Sequence, residues 1–285
     1  MPVISRSWTF TAKKSTATFE DVANAEGSNP FSVDGCRVVI VGGTAGIGFA
    51  VANYLVASGA TIVVTGRRGG EHLATPTGMS SVAMDVGDGE SVESGFAAID
   101  EIIDGIDCLI LNAGIDAETG LIDDDHDLAA FERVIDINTT GLARAMHHGI
   151  QRVPDGGSVI VTSSPAGSIA APGMAAYSAS KAALDMLVKS WAVDLGPRHV
   201  RVNAVLPGIV ESEMDSESAP DTELIRRMTV NGAHRRAEEM GPVFQFLASR
   251  ASVTLTGSLV GAHDGISIGY SQAVMGYLAA DLDDR

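Results

Sequence analysis

The run Arg37-Val-Val-Ile-Val41 leads directly into Gly42-Gly-Thr-Ala-Gly46-Ile-Gly48, and an apolar helical segment follows at 49–58. A second apolar run at 61–65 completes a pattern of strand, glycine turn, helix and strand. In such a unit the glycines permit a tight turn and a close approach of the backbone to a pyrophosphate, and the helix N-terminus offers N–H groups to the phosphates. The stretch therefore predicts a dinucleotide-binding unit at the start of an α/β fold.

The glycine turn also predicts the first cofactor contacts. Its spacing, Gly-x-x-x-Gly-x-Gly, differs from the commoner Gly-x-Gly-x-x-Gly, but its place between a strand and a helix carries the same physical argument. The residues predicted to touch the cofactor here are Gly42, Thr44, Ala45, Gly46, Ile47 and Gly48.

The end of the second strand indicates which dinucleotide is bound. An acidic residue at this place would bond the adenosine ribose hydroxyls, yet the sequence has Arg67 and Arg68. A guanidinium fork matches a phosphate, so the pair predicts a site for the 2′-phosphate of NADP. The alternative is two solvated loop arginines, in which case NAD would be the cofactor.

Strand-like and helix-like segments alternate through the rest of the chain, as in parallel α/β folds. The sequence predicts a single-domain, Rossmann-like, doubly wound parallel sheet of about seven strands with helices on both faces. Residues 128–150 are expected to form one long helix, and the connection between the second and third strands is expected to be reduced to a turn. The predicted organisation is an N-terminal arm at 1–34, the catalytic domain at 35–266 with a substrate loop at about 211–240, and a tail at 267–285.

Composition narrows the class of function. The chain has 285 residues and a formal charge of −17, which argues against nucleic acid or an anionic membrane as a partner. Residues 38–66 carry no charge and are long enough to span a bilayer, but six glycines divide them, so we expect no transmembrane segment. The two cysteines, Cys36 and Cys108, lie in apolar runs and indicate free thiols in a reducing, cytoplasmic setting. No metal site is predicted.

Tyr177 and Lys181 form the candidate catalytic pair. Four residues apart on a helix, their side chains share one face. A phenol ordinarily loses its proton near pH ~10, and a neighbouring cation lowers that pKa, which makes the phenol usable as a proton donor and acceptor near neutrality. A chance pairing on an ordinary amphipathic helix is the alternative. Elsewhere, the small residues of Asn112-Ala113-Gly114 at a strand end would let an adenine or ribose lie against the sheet.

Taken together, these motifs resemble those of the short-chain dehydrogenase/reductase family over roughly residues 35–266. Ser164 precedes Tyr177 by thirteen residues, as the family's serine precedes its tyrosine. Val41, Leu111 and Ser212 depart from the usual residues, although Ser212 keeps a hydroxyl. The motifs that carry the resemblance are Gly42-x-x-x-Gly46-Ile47-Gly48, Asn112-Ala113-Gly114, Asn138, Ser164, Tyr177-x-x-x-Lys181 and Pro207-Gly208.

The resemblance implies roles for the catalytic positions. Tyr177 would exchange the proton of the substrate oxygen, and Lys181 would lower the pKa of Tyr177 and hold the nicotinamide ribose. Ser164 would hydrogen-bond the substrate oxygen, and Asn138 would hold a water that links Lys181 to solvent. The further cofactor contacts that the resemblance implies are Asp85 and Val86 beside the adenine, Pro207 and Gly208, and Val210 and Ser212 at the carboxamide.

The resulting expectation is an NADP-dependent oxidoreductase that interconverts a secondary alcohol and its ketone. A 3-oxoacyl thioester reductase and a catalytically silent nucleotide-binding sensor are the alternatives. Residues 211–240 contain eight acidic and four basic side chains, which disfavours an acidic carrier protein or a strongly anionic substrate. We therefore expect a neutral alcohol or ketone as substrate and, from the resemblance, a homodimer or homotetramer.

Overall fold

The computed structural model describes residues 29–69, 76–117, 119, 128–211, 227–232, 235–272 and 274–275. The chain divides at Pro30 into two compact units, Met1–Pro30 and Phe31–Arg285. The second unit begins four residues before the predicted start of the catalytic domain at 35, and Val33 is fully buried in the core. The arm itself lies almost wholly outside the described residues, as does most of the predicted substrate loop.

Seven parallel strands form the central sheet, in the order β3-β2-β1-β4-β5-β6-β9. Val38, Val39, Ile40 and Val41 of β1 are completely buried, as expected for a strand covered on both faces. A separate parallel pair, β7 with β8, lies outside this sheet. The strands are β1 Arg37–Val41, β2 Thr61–Gly66, β3 Met79–Ala83, β4 Cys108–Leu111, β5 Ser158–Thr162, β6 Arg201–Pro207, β7 Val210–Glu211, β8 Arg235–Arg236 and β9 Leu259–Ala262.

Helices cover both faces of the sheet and bury two hydrophobic clusters. Phe96 and Leu184 belong to the cluster on one face, and Leu55 and Phe244 belong to the cluster on the other. The predicted doubly wound, Rossmann-like architecture is therefore confirmed. Within the described ranges, the α-helices are α1 Gly46–Ala57, α2 Gly89–Asp100, α3 Leu128–Ile135, α4 Leu142–Gly149, α5 Ala175–Leu195 and α6 Gly241–Ala248.

The predicted long helix at 128–150 contains one irregular turn. The segment is helical throughout, but a π-helical turn, Asp136–Gly141, lies between α3 and α4. The turn coincides with Asn138, whose side chain is bonded inward, and with Gly141, where an added Cβ would come within 2.9 Å of Val86 O. These tertiary contacts locally override the regular helix, as single π turns at functional positions often do.

Other features of the chain agree with the sequence pattern where they are described. Cys36 and Cys108 are free thiols. In the connection between β2 and β3, residues 67–69 and 76–78 contain turns and no helix. Among the residues that the structure describes, no helix combines the length and the apolar character needed to cross a bilayer.

Candidate active site

A cleft of about 440 Å³ opens at the carboxyl ends of the sheet strands, where ligands of open parallel sheets bind. The predicted residues that line it are Gly42, Thr44, Ala45, Gly46, Ile47, Arg67, Asp85, Val86, Asn112, Ala113, Gly114, Ser164, Tyr177, Lys181, Pro207, Gly208 and Val210. Gly48, Arg68 and Asn138 do not line the cleft. Ser212 lies outside the described residues.

The glycine turn is shaped by backbone contacts. Gly42 has φ +80°, and a Cβ there would lie 2.5 Å from Ala113 Cα, so only glycine fits without a shift of β4. A Cβ on Gly48 would lie 2.6 Å from Asn112 Nδ2 and would also strike the Gly42 carbonyl. These two glycines therefore let the turn pack closely against Ala113 and Asn112, which fixes the shape of the turn in front of α1.

Asn112 ties the turn to the middle of the sheet. Its Nδ2 donates to Gly42 O at 2.7 Å, and its Oδ1 accepts a hydrogen bond from Thr162 Oγ1 at 2.9 Å. Asn112 therefore lines the cleft, and its side chain links the ends of β1, β4 and β5.

The start of α1 is suited to an anion. Its N-cap residue, Ala45, makes no side-chain capping bond, and the first turn contains no acidic residue. The first N–H groups of a helix lack intrahelical partners, and the helix dipole favours negative charge there. Together with the glycine turn, this end of the cleft fits the pyrophosphate of a dinucleotide.

The two arginines after β2 occupy different surroundings. Both are exposed, but Arg67 lines the cleft and Arg68 does not. Asp85, at the end of the neighbouring strand β3, also lines the cleft. Of the two predicted phosphate contacts, the structure brings only Arg67 to the cavity.

The catalytic residues meet at the other end of the cleft. Lys181 is buried, and its Nζ lies 5.4 Å from the centre of the Tyr177 ring and donates to Thr162 O at 3.0 Å. Ser164 follows β5 and caps a short 3₁₀ turn, Pro165–Gly167. Hydrogen bonding with Ser164 contributes to the pKa of Tyr177, so these two side chains are neighbours. A carbonyl oxygen near these two hydroxyls would meet two hydrogen-bonding groups.

Burial shifts the pKa values of Lys181 and Tyr177 in opposite directions. Burial lowers the pKa of Lys181 to about 8, against the opposing effects of Asp185 and Asp116. Burial raises the pKa of Tyr177, the hydrogen bond with Ser164 opposes this, and Asp116 adds to the increase. Lys181 is not among the groups that shift the pKa of Tyr177 here, so the lowering by Lys181 that the resemblance implies stays a prediction.

The Asn138 side chain hydrogen-bonds to Ile115 and Ser180. It is fully buried, its Nδ2 donates to Ile115 O at 2.8 Å and to Ser180 Oγ at 3.0 Å, and its Oδ1 accepts from Ile115 N at 2.8 Å. Both amide hydrogens are used within the protein, so this side chain offers no donor to the water that the resemblance implies. It fixes the segment after β4 against α5 instead.

Ser163, the residue before Ser164, has a different hydrogen-bond partner. Ser163 Oγ donates to Asp185 Oδ1 at 2.6 Å, and burial raises the pKa of Asp185. Since the Ser163 hydroxyl is held by Asp185, Ser164 is the serine whose hydroxyl meets Tyr177, in agreement with the spacing in the sequence.

The cleft also contains residues that the sequence reasoning missed. Arg133 and Ile137 share one face of the helical segment before Asn138, so helical spacing was a usable signal for them. Asp116 follows the Asn112-Ala113-Gly114 motif closely, but no pattern singles it out. The missed lining residues are Gly66, Met84, Ile115, Asp116, Arg133, Ile137, Thr162 and Ser163.

Comparison with known proteins agrees with this geometry. The sequence profile of the family described as enoyl-(acyl carrier protein) reductase matches residues 42–267. A 3-oxoacyl-(acyl-carrier-protein) reductase of Aquifex aeolicus is 30% identical over 239 residues, which are 80% of this chain and 96% of the relative. Carbonyl reductase (NADPH) 2 of Sus scrofa is 31% identical over 240 residues, 79% of this chain and 94% of the relative. A short-chain type dehydrogenase/reductase from Mycobacterium marinum has a similar crystal structure, with a TM-score of 0.76, 28% identity, and coverage of 84% of this chain and 98% of that one.

Proposed function

The chain belongs to the short-chain dehydrogenase/reductase family of oxidoreductases, and on that premise we propose that it is an NADP-dependent enzyme that interconverts a secondary alcohol and its ketone. One observation carries the proposal. Ser164, Tyr177 and Lys181 line the same cleft as the glycine turn, so a nucleotide site and a proton-transfer site share one cavity. A protein that only bound nucleotide would not need the second site.

The cleft fits a nicotinamide dinucleotide at one end. The close packing of Gly42 against Ala113 and of Gly48 against Gly42 and Asn112 holds the tight turn, and the start of α1 favours phosphate. When bound, the nicotinamide supplies or accepts the hydride. Asp85 and Val86 would flank the adenine, and Pro207, Gly208, Val210 and Ser212 would hold the nicotinamide side.

The chain's own residues would handle the proton and the substrate. Tyr177 donates its hydroxyl proton to the substrate oxygen during reduction and removes it during oxidation. Ser164 hydrogen-bonds the same oxygen and stabilises the charge that develops there. Lys181 supplies positive charge beneath Tyr177, and Asn138 holds the helix and the segment after β4 in register.

Arg67 supports NADP as the cofactor. Arg67 is exposed and lines the cleft just after β2, and none of the described residues that directly follow this strand, 67–69, is an acidic residue that could bond a ribose hydroxyl. The name of the Sus scrofa relative specifies NADPH. NAD is the alternative, and a comparison of the two nucleotides distinguishes them.

The identity of the Aquifex aeolicus relative favours a second candidate function, the reduction of 3-oxoacyl thioesters. The acidic excess of residues 211–240 weighs against docking of an acidic carrier protein and favours a neutral alcohol or ketone. The two free cysteines support a cytoplasmic setting.

We also propose a homodimer or homotetramer that pairs through the helices around the active site. Leu128 of α3 and Met186 and Val193 of α5 are exposed to 68%, 60% and 79%. Met186 and Val193 are seven residues apart and so share one face of α5, and a contiguous exposed apolar patch marks a surface that packs against a partner. Light scattering of the purified protein tests this; a monomer would contradict it.

The test of the function is a set of initial rates with neutral ketones, using NADPH and NADH in parallel. Turnover that prefers NADPH and disappears in Tyr177→Phe supports the proposal. Turnover only with 3-oxoacyl thioesters would favour the second candidate. Tight nucleotide binding without turnover in either direction would favour the sensor.

A further inference from the structure

A buried carboxylate lies on the helix of the catalytic pair, and the proposed reaction does not use it. Asp185 of α5 is 8% exposed and follows Lys181 by four residues, as Lys181 follows Tyr177. Residues at this spacing share one face of a helix. Because a carboxylate is almost never buried without partners, the contacts of Asp185 indicate its role.

The first contact of Asp185 fixes the residue after β5. Ser163 Oγ donates to Asp185 Oδ1 at 2.6 Å, and Ser163 N donates to Val205 O at 2.8 Å. Hydrogen bonds to an ionised acceptor are shorter and stronger than neutral ones. The residue that precedes Ser164 is therefore tied both to the neighbouring strand β6 and to α5.

The second contact of Asp185 concerns the 3₁₀ turn that follows Ser164. A Cβ on Gly167 would lie 2.8 Å from Asp185 Oδ2 and 3.0 Å from the backbone of α5, so this turn packs directly against the helix. Asp185 therefore contacts the chain on both sides of Ser164, at Ser163 and at Gly167, and links it to the helix that carries Tyr177.

The charge of Asp185 also acts on Lys181. Burial lowers the pKa of Lys181, and two carboxylates oppose this: first Asp185 on the same helix, then Asp116 on the segment after β4. Burial raises the pKa of Asp185, and the hydrogen bond from Ser163 opposes this. The positive charges of Lys189 and Lys181 oppose it as well. Of the two carboxylates, Asp185 therefore does more to stabilise the protonated lysine.

We propose that Asp185 is a positioning residue for the proton-transfer step: it holds the turn that carries Ser164 against α5 and places a negative charge one helical turn from Lys181. This inference rests on the proposed function. Asp185 does not line the cleft, so it acts on the substrate only through Ser164 and Lys181. A purely structural carboxylate would not alter the pH dependence of the reaction, and this difference makes the role testable.

The pH profile of Asp185→Asn tests the charge. Asparagine keeps an acceptor for Ser163 but removes the charge, so Lys181 should lose its proton at lower pH. With NADPH and a neutral ketone, the fall of kcat/KM at alkaline pH should begin about one pH unit lower than in the wild type. Asp194→Asn makes the same change at an exposed position of α5 and should leave the profile unchanged. An unshifted profile in Asp185→Asn overturns the proposal.

Ser163→Ala tests the hydrogen bond separately. This variant removes the donor but keeps the Asp185 carboxylate, so the alkaline fall of kcat/KM should stay where it is in the wild type. The kcat should drop about tenfold, because the turn that carries Ser164 is less firmly placed. The same pH shift in Ser163→Ala as in Asp185→Asn would show that loosened packing, and not the charge, changes Lys181, and would overturn the proposal.

A measurement without turnover separates this inference from the proposed function. Acetylation of Lys181 by acetic anhydride over a pH series, followed by peptide mass spectrometry, reports the protonation of this side chain directly. The midpoint of labelling should lie about one pH unit lower in Asp185→Asn than in the wild type. Equal midpoints overturn the role of Asp185. A shifted midpoint in a protein that turns over no ketone keeps that role and contradicts the proposed reaction instead.

A second uncharged variant covers the case in which asparagine is not accommodated. Asp185→Ser is smaller and should give the same shift of the labelling midpoint, because it also removes the charge. Circular dichroism establishes whether each variant is folded. Failure of both variants to fold would assign Asp185 to the stability of the domain alone and would overturn the proposal.

Discussion

The two ends of the cleft are built in opposite ways. At the nucleotide end, the shape depends on the absence of side chains, because a Cβ on Gly42 or Gly48 would strike the backbone or Asn112. At the catalytic end, the shape depends on buried polar side chains that are fully engaged, such as Asn138 and Ser163. The comparison teaches that one end is fixed by backbone conformation and the other by a hydrogen-bond network. A substitution at one end of the cleft should therefore have little effect on the other end.

Tyr177→Phe should have the largest effect, and that effect should be confined to the catalytic end of the cleft. We expect the reduction rate to fall by about 10²–10⁴, because the proton donor is lost. NADPH affinity, followed by nucleotide fluorescence, should change little. Tyr270→Phe is the matched control, since Tyr270 is 80% exposed and does not line the cleft. A variant that keeps its rate would show that Tyr177 is not the proton donor.

Gly42→Ala should break the nucleotide end. The left-handed φ and the clash with Ala113 should lower the free energy of unfolding by about 3 kcal/mol and abolish NADPH binding. Gly156→Ala provides the control, because Gly156 has φ +85° but nothing within 4 Å of an added Cβ. It should cost only about 1 kcal/mol. Denaturant unfolding measures both; equal losses would mean that the close approach to Ala113 does not matter.

The pH dependence should report the buried lysine. Lys181 has a pKa of about 8, so it carries its proton below that pH and loses it above. For ketone reduction, kcat/KM of the wild type should therefore fall about tenfold per pH unit above the pKa. Lys181→Arg keeps its charge and should move the fall to higher pH. A wild-type profile that stays flat well above pH 8 would contradict a catalytic role for the Lys181 charge.

The smallest effect should come from the exposed arginines. Arg67→Ala should weaken NADPH binding about tenfold and leave NADH binding nearly unchanged, since it removes one charge-assisted contact to the 2′-phosphate. Arg68→Ala should have a smaller effect, because Arg68 does not line the cleft. Titration of both nucleotides against both variants measures this. Equal losses for NADPH and NADH would remove the argument for NADP.

Local pattern predicted the sheet and the main motifs. Buried parallel strands are continuous apolar runs, and Gly42 and Gly46 mark a turn whose conformation glycine favours, so both features are visible within a few residues. Tyr177 and Lys181 were found from their helical spacing, and Ser164 was found from the family resemblance. The structure brings them together as that spacing suggested.

What the sequence did not reveal depends on contacts between distant residues. The π turn at Asn138 reflects bonds to Ile115, 23 residues away, and the orientation of Lys181 reflects its bond to Thr162, 19 residues away. The raised pKa of Tyr177 follows from burial, which a helical spacing does not show. Asp116 belongs to no motif and was visible only once the cleft was assembled.

The central claim is that both ends act together in one hydride transfer. The most direct measurement is mass spectrometry of the alcohol formed from acetophenone with NADPH that carries deuterium on the transferring carbon of the nicotinamide. The account predicts one deuterium on the carbinol carbon with the wild type, and with Tyr177→Phe a yield lower by about 10²–10⁴. Tight binding of NADPH with no deuterium transferred to any ketone, and none recovered from secondary alcohols in the reverse direction, would contradict it.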